Sequence, residues 1–122
     1  MKDLRSYNVA MVALLSSIAF GVAGQLLMKL AALRSIVGVS LSSVSVLALA
    51  LAIYSLGVVF WMVALRWLAL SVAYPVTSMG YIGVLWGSWY WFSESVSALR
   101  VLGVTLIFIG VTLIVWNKPR SR

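Results

Sequence analysis

Ala13, Ser17, Gly21, Gln25 and Lys29 recur every four residues through the first apolar run. At helical pitch this spacing puts them along one face. A stripe that passes from small side chains to an amide and then an ammonium is poorly suited to lipid tails. It belongs against other helices or a wet cavity, where Gln25 and Lys29 could grip a phosphate or a polar headgroup near one membrane surface. The plainer reading pairs Gln25 with a neighbouring helix and makes Lys29 a boundary anchor that snorkels to the headgroups. A second face combines Tyr74, Ser78, Tyr81 and Ser88. Its hydroxyls suit a polar ligand, although Tyr74 also fits an ordinary membrane-interface position.

Other chemistries are excluded by composition. The chain has no Cys and no His, so it holds no thiolate or imidazole for metal binding, nucleophilic attack or proton transfer near neutral pH. No metal or cofactor site is expected, and nothing assembles the nucleophile, base and oxyanion donors of an enzyme. The only acids are Asp3 and Glu94, and neither lies inside an apolar run. A proton-coupled carrier normally keeps a buried carboxylate whose pKa is raised into a working range. Glu94, beside Ser95, fits a helix-end or dimer contact better than a proton relay.

The elements that must position these groups are membrane helices. Of 122 residues, 64% are hydrophobic and 9% charged, against about 25% charged in an ordinary soluble domain. Apolar runs near the 20 or so residues needed to cross the hydrocarbon occupy about 9–28, 44–65, 68–92 and 101–116. The expectation is one all-α integral membrane domain over 1–122, with four transmembrane helices. The first run exceeds a signal-peptide core and continues into the polar stripe, so it is expected to remain as a helix.

The net charge of +7 sits at the ends of the apolar runs, which favours anionic lipid headgroups over nucleic acid. Lys2, Arg5, Arg66, Lys118, Arg120 and Arg122 fall on one side, and Lys29, Arg34 and Arg100 on the other. That imbalance places both termini in the cytoplasm. Trp86, Trp89, Trp91 and Trp116 gather near run ends, as interfacial aromatics do.

Four helices enclose a solute path poorly, so a dimer is expected. Gly103 and Gly110, two turns apart on the fourth helix, offer a close-packing seam for it, or for intrachain packing. In the third helix Pro75 removes one backbone donor, and Gly80, Gly83 and Gly87 thin one face. These four residues suit a helix that flexes during alternating access, or one that packs closely.

Two stretches resemble the drug/metabolite transporter superfamily and its four-helix members. They are Gly21-Val-Ala-Gly-Gln-Leu-Leu-Met-Lys29, and Ser71-Val-Ala-Tyr-Pro-Val-Thr-Ser78 continuing through Phe92-Ser-Glu-Ser95 into the Gly103–Gly110 helix. Small multidrug resistance exporters share the end of the first helix and the glycine pair. Their membrane glutamate would fall at Gly21, however, and an aromatic residue at Thr77. The small flippase subunits that move aminoarabinose linked to undecaprenyl phosphate are a closer likeness, through Ala23-Gly24-Gln25 with Lys29, Ala73-Tyr74-Pro75 with Ser78, and Glu94.

That resemblance implies a bacterial or archaeal plasma-membrane flippase of a polyprenyl-phosphate-linked sugar or related lipid. Its partners would be membrane lipids and a second small subunit, identical or related. Lys29 and Arg66 would hold phosphate, while Gln25, Tyr74, Ser78 and Tyr81 would hold sugar hydroxyls. An exporter of drugs, cations or metabolites without the usual glutamate is the alternative. A non-transporting membrane subunit is a third reading.

Overall fold

The computed structural model describes residues 2–116, all-α with no strand among them. The basic tail residues Lys118, Arg120 and Arg122 lie outside the described residues. The four helices are α1 (Lys2–Ser35), α2 (Leu41–Ala64), α3 (Leu70–Phe92) and α4 (Ala98–Trp116). Both α1 and α2 are long and apolar enough to cross a membrane. At about 1.5 Å per residue α1 would measure about 51 Å, well beyond a 30 Å hydrocarbon core. Its helix therefore continues past the apolar run at both ends.

The start of α2 is set by chemistry that hydropathy does not register. Ser40 caps the helix: its hydroxyl accepts from the Ser43 amide, and the Ser43 hydroxyl accepts in return from the Ser40 amide. This reciprocal pair satisfies two amides that the first turn would otherwise leave without partners. It starts α2 at Leu41 rather than Val44. Gly38, at φ +136°, turns the chain between α1 and α2 in a conformation that a Cβ would oppose.

The tightest packing joins α1 to α2. The buried residues of α2 are Ser43, Ala50, Gly57 and Ala64, each seven apart. Facing them, α1 buries Ala10, Ser17, Gly24 and Ala31 at the same interval. Small residues at a two-turn spacing bring backbones close without help from a hydrophobic driving force. A Cβ built on Gly24 would lie 2.8 Å from the Tyr54 Cβ and 3.0 Å from its Cα. One built on Gly57 would lie 3.0 Å from the Ser17 carbonyl oxygen. These two glycines mark where the backbones nearly touch.

On another side, α1 packs against α3 through Ile18, Val22 and Leu26. A Cβ on Gly83 would meet Val22 at 3.2 Å, and one on Gly87 would meet Leu26 at 2.5 Å. Gly80 leaves an ordinary 3.5 Å gap to Ile18. Here Gly83 and Gly87 serve close approach to α1. The helix itself is continuous from Leu70 to Phe92, with Pro75 inside it. At the opposite end, Ala10, Ala13, Leu14, Ala64, Leu68 and Ala73 form a core that ties the start of α1 to the α2–α3 connector. The fourth helix packs on α3 and is otherwise largely exposed.

Candidate functional site

Because α1 contacts α2 with one side and α3 with another, it floors a groove between them. The floor is Ser17, Gly21 and Gln25; Tyr54, Gly57 and Trp61 line one wall, and Thr77, Gly80 and Tyr81 the other. The groove holds about 410 Å³, within the usual size of a small-molecule site. A Cβ on Gly21 would meet nothing within 4 Å, so the floor is open there. Ser17 and Thr77 donate to the carbonyls of Leu14 and Ala73, at 2.7 and 2.8 Å. The Gln25 amide and the Tyr54 and Tyr81 hydroxyls have no hydrogen-bond partner among the described residues, leaving them available to a ligand.

The expected stripe therefore divides by depth. Ala13 enters the core, Ser17, Gly21 and Gln25 line the groove, and Lys29 lies one turn beyond it. There the Lys29 ammonium sits 2.5 Å from Glu94 Oε2, donates to the buried Ser88 hydroxyl at 3.3 Å, and lies 4.8 Å above the Phe92 ring. Arg100 Nη1 donates to the same carboxylate oxygen at 3.1 Å. The two cations hold the Glu94 carboxyl below its ordinary range, Lys29 having the larger effect. The loop acid thus has a definite place, clasping the end of α1 to the connector between α3 and α4.

That connector begins at Ser93, whose φ of +50° is left-handed. A non-glycine residue there carries about 1–2 kcal/mol of strain. The turn ends α3 just before Glu94 and directs the chain towards α4.

Three other expected binding residues are not in the groove. Ser78 is buried and donates to the Pro75 carbonyl at 2.6 Å, so its hydroxyl is already engaged. Tyr74 is exposed, its ring edge-on to Trp61 at 6.4 Å. Arg66 is exposed just after α2, at the end of the bundle opposite Lys29, and the two cannot hold one phosphate together. Tyr54 and Trp61 were not anticipated. The signal for them was the Ser43-Ala50-Gly57-Ala64 repeat, which fixes the face of α2 that meets α1 and hence the residues beside it.

A Cβ added at Gly103 or Gly110 would meet nothing within 4 Å from another element among the described residues. Intrachain packing therefore does not explain them. Trp86, Tyr90 and Trp91 form an exposed ring cluster with centroids 5.4 to 6.5 Å apart, in keeping with an interfacial belt.

Fold and groove define the class: a small all-α integral membrane protein with an uncharged, largely apolar groove that carries a few polar groups, and an ion-paired cluster at one end. The comparisons with known proteins agree with it. The chain is similar to the probable 4-amino-4-deoxy-L-arabinose-phosphoundecaprenol flippase subunit ArnF of Yersinia enterocolitica, 43% identical over 74 residues, which is 59% of this chain and 57% of that protein. The subunit of the same name from Pseudomonas savastanoi pv. phaseolicola is 36% identical over 84 residues, 67% of this chain and 61% of the relative. The corresponding subunit ArnE of Yersinia pestis is 34% identical over 71 residues, 58% and 62% of the two chains. The chain spans about half to three-fifths of the length of these curated relatives. No family profile and no solved structure matches it.

Proposed function

We propose that this chain is a subunit of a flippase that carries a polyprenyl-phosphate-linked sugar, or a related lipid, across a bacterial cytoplasmic membrane. The observation that carries the reading is the groove: Gln25, Tyr54 and Tyr81 present unbonded polar atoms to it, and none of its lining residues is charged. Neutral donors and acceptors match sugar hydroxyls and avoid the cost of keeping a bare charge within the hydrocarbon. Lys29, one turn further along α1, supplies positive charge where a phosphate would sit. The lipid tail stays outside, in hydrocarbon, while the headgroup travels along the floor. The names of the related subunits support the same substrate class.

The working unit pairs this chain with a second small subunit, a copy of itself or a related chain, through the unpartnered α4 face around Gly103 and Gly110. Both termini face the cytoplasm, as the lysine and arginine distribution favours. The test is reconstitution in vesicles with a fluorescent glycosylated undecaprenyl phosphate, scored by the accessibility of the headgroup to an impermeant quencher. Transport by the wild type, alone or with a related subunit, and its loss in Gln25→Ala and Tyr81→Phe would support the reading. Proton-driven movement of a small cation with no lipid movement would overturn it.

A further inference from the structure

Glu94 Oε2 takes both a 2.5 Å contact from Lys29 and a 3.1 Å hydrogen bond from Arg100. One carboxylate thus lies between two cations from different helices, and the cluster keeps one positive charge in excess. Ser88 adds a hydroxyl within reach of the Lys29 ammonium, and the Phe92 ring lies beneath it. This is the donor set that a phosphate monoanion or diester needs: an ammonium, a guanidinium and a hydroxyl, with charge to spare. It lies one turn past Gln25, next to the groove.

The carboxylate is also partly exposed to water. The Lys29 and Glu94 side chains are 26% and 36% exposed and that of Arg100 is 56% exposed, so water and salt screen the pair. Glu94 itself belongs to connector 93–97, which follows the left-handed Ser93. The contact can therefore exchange, and its release would free the connector from α1.

We propose that Lys29 and Arg100 form an anion site in which Glu94 stands in for the phosphate of an incoming lipid. Phosphate binding displaces the carboxylate and unfastens the α3–α4 connector from α1. This rests on the flippase reading for the identity of the ligand, and it assigns Arg100 as a binding residue and Glu94 as an internal competitor. The empty carrier is then closed by its own carboxylate, and the phosphate that opens it takes the same donors.

Because the chain has no cysteine, labels can be placed at will. Spin labels at Leu33→Cys and Ser95→Cys, both exposed positions, report the separation of α1 from the connector in nanodiscs. Undecaprenyl phosphate should lengthen that distance in the chain with Glu94 intact. Glu94→Gln should start in the longer distribution and bind undecaprenyl phosphate about two- to fivefold more tightly, the range set by losing an exposed ion-pair competitor. Lys29→Gln and Arg100→Gln should bind it more weakly.

Inorganic phosphate added alone separates the sources. An equal lengthening supports the anion site with a free anion as occupant, and a response to the lipid only supports a headgroup site. An unchanged distance at saturating lipid, or unchanged or weaker binding by Glu94→Gln, would overturn the proposal. Lipid-linked sugar transport with unaltered Glu94→Gln affinity would remove the latch and leave the flippase reading standing. Tighter phosphate binding without sugar-lipid transport would do the reverse.

Discussion

Gly21 and Gly24 are less than one turn apart on α1, and the structure assigns them opposite consequences. At Gly24 a Cβ would come within 2.8 Å of the Tyr54 Cβ and 3.0 Å of its Cα and N. Two of those three atoms are backbone, so no rotamer change relieves the clash and the α1–α2 seam must open. Overpacking of this kind costs about 1–3 kcal/mol. Alanine in place of glycine inside a helix returns about 0.5–1 kcal/mol. Gly24→Ala should therefore lose up to about 2.5 kcal/mol net, about 1 at mid-range, whereas Gly21→Ala, with nothing within 4 Å, should gain about 0.5–1 kcal/mol.

Function should separate the pair in the other direction. Gly21→Leu places an isobutyl group on the floor of a 410 Å³ groove that Gln25 and Tyr81 also line, at a position where an added Cβ meets nothing within 4 Å. It should fold as well as the wild type and block headgroup passage. Reversible unfolding by dodecyl sulfate in mixed micelles measures the first effect, and headgroup translocation in vesicles the second. Equal stability losses in Gly21→Ala and Gly24→Ala would refute the packing argument. Full translocation by a folded Gly21→Leu would refute the groove as the path.

Gly103→Leu with Gly110→Leu should leave the unfolding midpoint of the isolated chain unchanged, because a Cβ added at either meets nothing within 4 Å among the described residues, but should abolish pairing on crosslinking. Ser40→Ala removes one half of the capping pair at the start of α2 and should cost about 0.5–2 kcal/mol in the same unfolding assay. The Glu94 carboxyl has its pKa depressed below 4.5 by Lys29 and then Arg100. A depressed acid contributes stability that is fully present above the unfolded value and is lost as pH falls through the folded one. The α1–connector distance should accordingly be constant through neutral and mildly acidic pH and lengthen only below the ordinary carboxylate range, as spin-label distances across an acid titration would register; lengthening near neutral pH would contradict the ion pair.

Much of this fold was legible because burial in lipid leaves a coarse signature. Four long apolar runs must be helices, since no other single-segment structure satisfies the backbone in hydrocarbon. The stripe on α1 was legible because the four-residue spacing of Ser17, Gly21 and Gln25 aligns them whatever surrounds them. The partner of α1 was harder to read. Apolarity does not distinguish the faces of α2, which is hydrophobic all round, and the informative residues are the small ones that it buries at seven-residue intervals. The glycines of α3 carried two compatible meanings, a bend or a close approach, and Val22 and Leu26 give Gly83 and Gly87 the close approach. Ser78 lies outside the groove for a similar reason: a hydroxyl in a membrane helix can satisfy its own backbone, and here it donates to the Pro75 carbonyl three residues back.

The division of polar chemistry along α1 follows from one cost. An uncompensated charge within the hydrocarbon is expensive, whereas a neutral amide or phenol needs only a hydrogen-bond partner to be tolerated. The groove accordingly carries Gln25, Tyr54 and Tyr81, which a ligand can satisfy. The ammonium lies one turn beyond, where Glu94 of the α3–α4 connector and Arg100 of α4 meet it. A carrier that kept a carboxylate at Gly21 would pair it with a proton or a cation. With a glycine there, the groove has no such counter-charge, and the cationic Lys29 and Arg100 stand at its end. That arrangement suits a solute whose negative charge remains at the membrane surface until the neutral part of its headgroup has found the groove.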